Sequence, residues 1–171
     1  MNDKLVKILN IAKAINTDVL DVYKPPEEGY ASTTQRVLPF SILKNTRGYI
    51  EKVVNQINGC YEKGWYDACL VMMRRLLETI IIEVFEENHI KEKILDNNGN
   101  YYFLDSLISR TLSETSFHLM RNTKVSLPKL KILGDLSAHG RRFNAHLGDV
   151  DAIQGDFRVA IQELIYLAKL K

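Results

Sequence analysis

Residues 66–87 read YDACLVMMRRLLETIIIEVFEE, a stretch without glycine or proline that is apolar around most of a helical circumference. Charge interrupts it mainly at Arg74, Arg75, Glu78 and Glu83. A helix that is hydrophobic nearly all round has no face to offer to water and must be enclosed by other elements. The stretch therefore predicts the central helix of an all-α antiparallel bundle, with Met72 and Met73 as adaptable core filler.

The segments on either side supply the faces that such a helix needs. In NTRGYIEKVVNQINGCYEKG (45–64), Ile50, Val53, Val54 and Ile57 recur at helical spacing, and the helix should stop between Gly59 and Gly64. Leu5, Ile8, Leu9, Ala12 and Ile15 predict an amphipathic helix over 3–15. Residues 22–41, with Pro25, Pro26, Gly29, Pro39 and a run of Ser and Thr, read as an extended surface arm. Downstream, DNNGN (96–100) marks a turn before a short helix around Phe103–Leu112. Ser126-Leu127-Pro128 looks like a helix start, with Ser126 as cap and proline in the first turn, where a missing amide costs nothing. Leu127, Leu130, Leu133 and either Leu136 or Ser137 would face inward, and Gly140 would end the helix. A last helix is predicted from about Val150 to Leu170, with Ile153, Phe157 and Leu164 inward and Asp149 or Asp151 near its positive end. No alternating strand pattern and no internal repeat occur. The expected organisation is an N-terminal helix and arm over 1–41, then a helical domain over 42–171.

With 46% hydrophobic residues, the 171-residue chain can bury a core without disulfides or metal staples. Cys60 and Cys69 have no zinc-type spacing and read as reduced packing thiols, so neither a metal nor a cofactor is expected. Lysines break the N-terminal apolar stripe, and no apolar run approaches the roughly 20 residues of a membrane span. No membrane role and a cytoplasmic location are expected. The net charge of +2 is small but unevenly spread. Between Arg121 and Gly148 stand Arg121, Lys124, Lys129, Lys131, Arg141 and Arg142 against the single acid Asp135. The stretch from Glu83 to Asp96 is acidic, which predicts a basic side and an acidic side.

The densest chemistry lies in LGDLSAHGRRFNAH (133–146). Lys131, Asp135 and His139 follow one another at i, i+4 and i+8, one stripe of a helix. A carboxylate one turn below an imidazole can orient it and favour its charged form, as a general acid requires. The same spacing also fits a plain Lys131–Asp135 surface pair with His139 at the helix C-terminus. Gly134 costs about 1 kcal/mol in mid-helix relative to alanine, so something must approach its backbone closely. Together with Ser137 and Ala138 it forms a small-residue edge, suited to a neighbouring helix of this chain or of a second copy. Arg141 and Arg142 are the best anion-binding candidates, able to grip phosphate with paired guanidinium donors, beside His139 and His146.

The blocks GYIEKVVNQINGCYEKGWYDACLVMMRRLLETIIIEVFE and LPKLKILGDLSAHGRRFNAHLGDVDAI together resemble a prokaryotic domain-of-unknown-function family within the HEPN superfamily. The resemblance covers about residues 40–170. It implies a small helical bundle, often dimeric, acting as a metal-independent ribonuclease in toxin-antitoxin or defence systems or as a non-catalytic RNA-binding or interaction module. Active members carry an arginine four to six residues before a histidine. Here Asp135 to His139 supplies the polar residue and the histidine, but Gly134, Leu133 and Ile132 stand where the arginine belongs, and Lys131 lies one residue too far. Arg141 and His146 meet the spacing only within a loop. The resemblance thus implies a non-catalytic module binding RNA, nucleotide or a partner protein through Lys131, Arg141, Arg142 and His146. The alternatives are an endoribonuclease using His139 with Asp135 as its orienter, or a structural adaptor, in each case with a homodimer expected across the GDLSAH helix.

Overall fold

A computed structural model of the chain describes residues 4, 6–11, 13 and 36–171. The chain divides into two units, residues 1–30 and 31–171. In the first unit the described residues are helical, in keeping with the amphipathic pattern over 3–15, and Val6, Ile8, Leu9 and Ile11 are exposed. The arm expected over 22–41 lies outside the described residues up to position 35.

The second unit is all-α. Its helices are α1 (Gly48–Glu62), α2 (Tyr66–Glu87), α3 (Leu104–Ser113), α4 (Arg121–His139) and α5 (Leu147–Leu167). A single turn at Phe40–Leu43 precedes them, and a 3-10 turn at Lys91–Ile94 follows α2. Among the described residues the only β-type pairing is one isolated bridge between Leu95 and Tyr101. As its composition demands, α2 is the central helix and packs against α1, α3, α4 and α5. Leu76, Leu77, Ile80, Ile81, Val84 and Phe85 are fully buried along it. Met73 is buried in the same core, while Met72 packs half-buried against it. No helix of the described residues is long and apolar enough to cross a membrane.

Tertiary contacts move three boundaries away from their sequence signals. The packed unit begins before residue 42, because Val37 and Leu38 are fully buried. The buried Asn58 of α1 explains this: its side chain accepts from the Leu38 amide at 3.1 Å and donates to the Leu38 carbonyl at 2.9 Å. Arg158 of α5 adds a donation to the Val37 carbonyl at 2.7 Å. The non-helical backbone at 37–38 is thereby satisfied away from water.

Helix α4 starts at Arg121, not at Ser126. Its entry is held by Glu163 of α5, which accepts the Met120 amide at 2.7 Å. Ser126 is buried inside the helix and donates to the Asn122 carbonyl, so it is no cap, and Pro128 lies in the helix interior. The inner face runs through Thr123, Ser126, Leu127, Leu130 and Gly134, while Leu136 is turned outward. Helix α5 starts at Leu147, three residues before the predicted Val150. His146 caps it, and Asp149 accepts the His146 amide at 2.8 Å in a capping box. The expected inward residues Ile153, Phe157 and Leu164 are all buried. Cys69 is buried and Cys60 half-buried, both are free thiols, and burial pushes both upward in pKa.

Candidate functional site

The stripe on α4 is built as far as Asp135. Lys131 Nζ lies 2.9 Å from Asp135 Oδ2, the expected i, i+4 pair, and 3.1 Å from Asp105 of α3. The other carboxylate oxygen, Asp135 Oδ1, lies 2.6 Å from Arg74 Nε of α2. Arg74 also reaches Glu78 on its own helix at 3.4 Å. Burial works against the charge on Asp135, but the hydrogen bonds and charges of Lys131 and Arg74 together outweigh it and hold the carboxyl below its ordinary range. Hydrogen bonds that the Lys131 ammonium donates to Asp135 and Asp105 raise its pKa above the usual value.

Gly134 makes this cluster possible. A Cβ there would lie 2.6 Å from the Arg74 Cβ, closer than any side chain tolerates. The close approach that the mid-helix glycine implied is therefore to α2 of the same chain. Of the rest of the small-residue edge, Ser137 has a buried hydroxyl oxygen without a hydrogen-bond partner, and Ala138 is exposed.

His139 is the last residue of α4 and exposed, and its side chain makes no hydrogen bond or ion pair among the described residues. Asp135 does not orient it. Both carboxylate oxygens face cations, which corrects the acid-base pairing the spacing allowed and leaves the plainer Lys131–Asp135 pair. With Ile132, Asp135, Leu136 and Gly140, His139 lines a shallow, open depression of about 350 Å³.

Beyond Gly140 the chain is pinned at its base and open at its tip. Phe143 packs half-buried against the core, and the Ala145 amide donates to Asp67 Oδ1 near the start of α2 at 3.1 Å. Arg141 and Arg142 project from the same loop, exposed and without ion-pair partners among the described residues. His146 serves as the cap of α5, so the Arg141–His146 spacing joins a loop cation to a structural histidine. Arg121, Lys124 and Lys129 are likewise exposed and unpaired among the described residues. The structure thus groups Lys131 with Asp135, leaves Arg141 and Arg142 free beside His139 in the chain, and assigns His146 to a helix end.

Two participants escaped the sequence reading. Arg74 was visible as a charge in an apolar helix, but nothing local tied it to Asp135; the mid-helix glycine was the only hint that another backbone lay against α4. Asp67, which fixes the arginine loop, carries no sequence signal beyond its place near a helix start. Among the described residues, no group of three His, Cys, Asp or Glu side chains converges as metal ligands would. Comparison of the chain with protein-family models, curated proteins and solved structures finds no match.

Proposed function

We propose that the chain is a HEPN-like helical module that binds RNA along the basic edge of α4 and the loop after it, without cleaving the RNA. One observation carries this reading. Arg121, Lys124, Lys129, Arg141 and Arg142 are exposed and unpaired among the described residues, while Asp135, the one acid between positions 121 and 148, is paired with Lys131 and Arg74 and so leaves these five free. Unpaired surface cations along one helix and its following loop attract a polyanion and release its condensed counterions, so they contribute binding free energy that depends on salt. The adjacent guanidinium groups of Arg141 and Arg142 suit phosphate oxygens, which they can contact in pairs.

The test is a double charge reversal. Arg141→Glu/Arg142→Glu is expected to weaken RNA binding at least tenfold while circular dichroism stays that of the parent. It should also lower the slope of log affinity against log salt by roughly 1.4, about 0.7 for each lost phosphate contact on a single strand. Unchanged affinity in a folded variant would overturn the reading.

A second reading, a metal-independent endoribonuclease, has one observation in its favour: α2 brings the Arg74 guanidinium to Asp135, one turn from His139. It predicts EDTA-resistant cleavage that leaves cyclic phosphate ends and disappears in His139→Ala. The engagement of Arg74 by Asp135 and Glu78 favours the binding reading, since a guanidinium so held is not free to meet a scissile phosphate.

A further inference from the structure

The α1–α2 corner presents an aromatic ring that the fold does not use. Helix α1 ends in a tight closing turn: the Gly64 amide donates to the Tyr61 carbonyl at 3.1 Å, and the Trp65 amide donates to the Cys60 carbonyl at 2.8 Å. Gly64 takes the left-handed φ of +71° that this turn requires. The Trp65 carbonyl then accepts the Cys69 amide at 2.9 Å and starts α2. Turns of this kind usually fold the residue at position 65 back over the helix end. Here Trp65 remains 59% exposed although its backbone is fixed from both sides.

The corner lies at the same end of the bundle as the arginine loop. Asp67, two residues after Trp65, holds the Ala145 amide, three residues after Arg142. Chain reach across those five residues and the bridge places the Trp65 and Arg142 backbones less than about 30 Å apart. Lys63 is exposed next to the corner. The carboxylates of Asp67, Asp149 and Asp151 at this end are each hydrogen-bonded within the fold by neutral donors, the Ala145 amide, the His146 amide and the Tyr61 hydroxyl, and Glu62 adjoins Lys63.

We infer that Trp65 is a base-stacking platform, and that the end of the bundle formed by Lys63, Trp65, Arg141 and Arg142 binds single-stranded nucleic acid. This rests on the basic-edge reading above and names its substrate class. Phosphates alone do not distinguish a single strand from a duplex, whereas an exposed indole needs an unpaired base whose face is free. A backbone fixed before binding lowers the ordering cost of that contact.

Trp65 is the only tryptophan of the chain, so its emission reports on this corner alone. The full-length protein is titrated with an adenine-rich RNA 12-mer, the DNA 12-mer of the same sequence and a 12-base-pair RNA duplex. Labelled-strand anisotropy and tryptophan emission are read in parallel. Single-stranded RNA is expected to quench the emission with the same midpoint as the anisotropy change, and the duplex to leave it unquenched. Equal quenching by DNA would place recognition in base and phosphate, and quenching by RNA alone would add the ribose hydroxyl; either supports the platform. Trp65→Ala is expected to weaken single-strand binding roughly fivefold or more with an unchanged salt slope, and Trp65→Phe to restore most of it. Binding seen by anisotropy with undisturbed emission, or equal quenching by the duplex, overturns the platform while the basic-edge reading stands. No binding of any strand overturns both. The wild-type emission needs no variant, so a poorly folded Trp65→Ala protein would not weaken the test.

Discussion

Gly134 shows how one missing methyl group sets an interhelical distance. Alanine would gain about 1 kcal/mol of helix propensity at this position. Its Cβ, however, would stand 2.6 Å from the Arg74 Cβ, an atom next to the α2 backbone that cannot swing aside as a chain tip would. Overpacking of this kind costs about 1–3 kcal/mol, and it also displaces the guanidinium from Asp135. Gly134→Ala is therefore expected to lower stability by about 1–2 kcal/mol, read as a fall in the urea midpoint at constant m-value. A midpoint at or above the parent's would show that α4 slides away from α2 at little cost. The need for a close neighbour was legible from a glycine in a helical pattern. Which neighbour was not, because Arg74 lies 60 residues away in the chain and only packing brings it there.

At the scale of elements, α4 departs most from its local signals. A serine followed closely by proline is a strong helix-start pattern, yet the helix runs through it from Arg121. Burial of Thr123, Ser126 and Leu127 against the core, with Glu163 accepting the Met120 amide, rewards helical backbone ahead of the proline. Pro128 then leaves the Lys124 carbonyl without its usual intrahelical donor. Proline in a helix interior costs about 3 kcal/mol relative to alanine, offset in part by the roughly 0.4–1 kcal/mol it removes from unfolded-chain entropy. Pro128→Ala is accordingly expected to stabilise the protein by about 2 kcal/mol, seen as a higher melting temperature. A lower one would mean that the ring's own packing, or a bend it imposes, outweighs the restored hydrogen bond. By contrast, α2 was legible end to end, because an apolar circumference leaves a helix only one kind of place in a fold.

For the whole molecule, the Arg74–Asp135–Lys131–Asp105 chain ties α2, α3 and α4 together on a partly exposed side. The signs of its pH dependence follow from the two shifts. Asp135 has a lowered pKa in the folded state, so its contribution is complete above the unfolded-state value of about 3.9 and is lost as pH falls through the folded value. Lys131 has a raised one, so its contribution is complete below about 10.4 and is lost as pH rises through the folded value. Asp135→Asn should therefore cost about 1 kcal/mol between pH 5 and 8, the sum of two partly exposed pairs. The gap from the parent should begin to narrow below about pH 4 and close only once the pH has fallen through the lowered folded-state value. Urea denaturation of both proteins at pH 2, 3, 5 and 7 checks this, and a gap as wide at pH 2 as at pH 7 would show that the asparagine disturbs packing instead of charge.

By itself, the sequence determined the helical class, the central place of residues 66–87, the inward faces of α1 and α5, the i, i+4 spacing of Lys131 and Asp135 and the concentration of positive charge after Arg121. Each is a matter of local periodicity, spacing or composition. Only the tertiary structure decided that Asp135 faces two cations instead of a histidine, that α4 begins ahead of its apparent cap, that Asp67 fixes the arginine loop, and that Trp65 stands exposed at the same end. These features arise between residues distant in the chain, where the free energy of burial and charge pairing exceeds the roughly 1 kcal/mol preferences that a local pattern records.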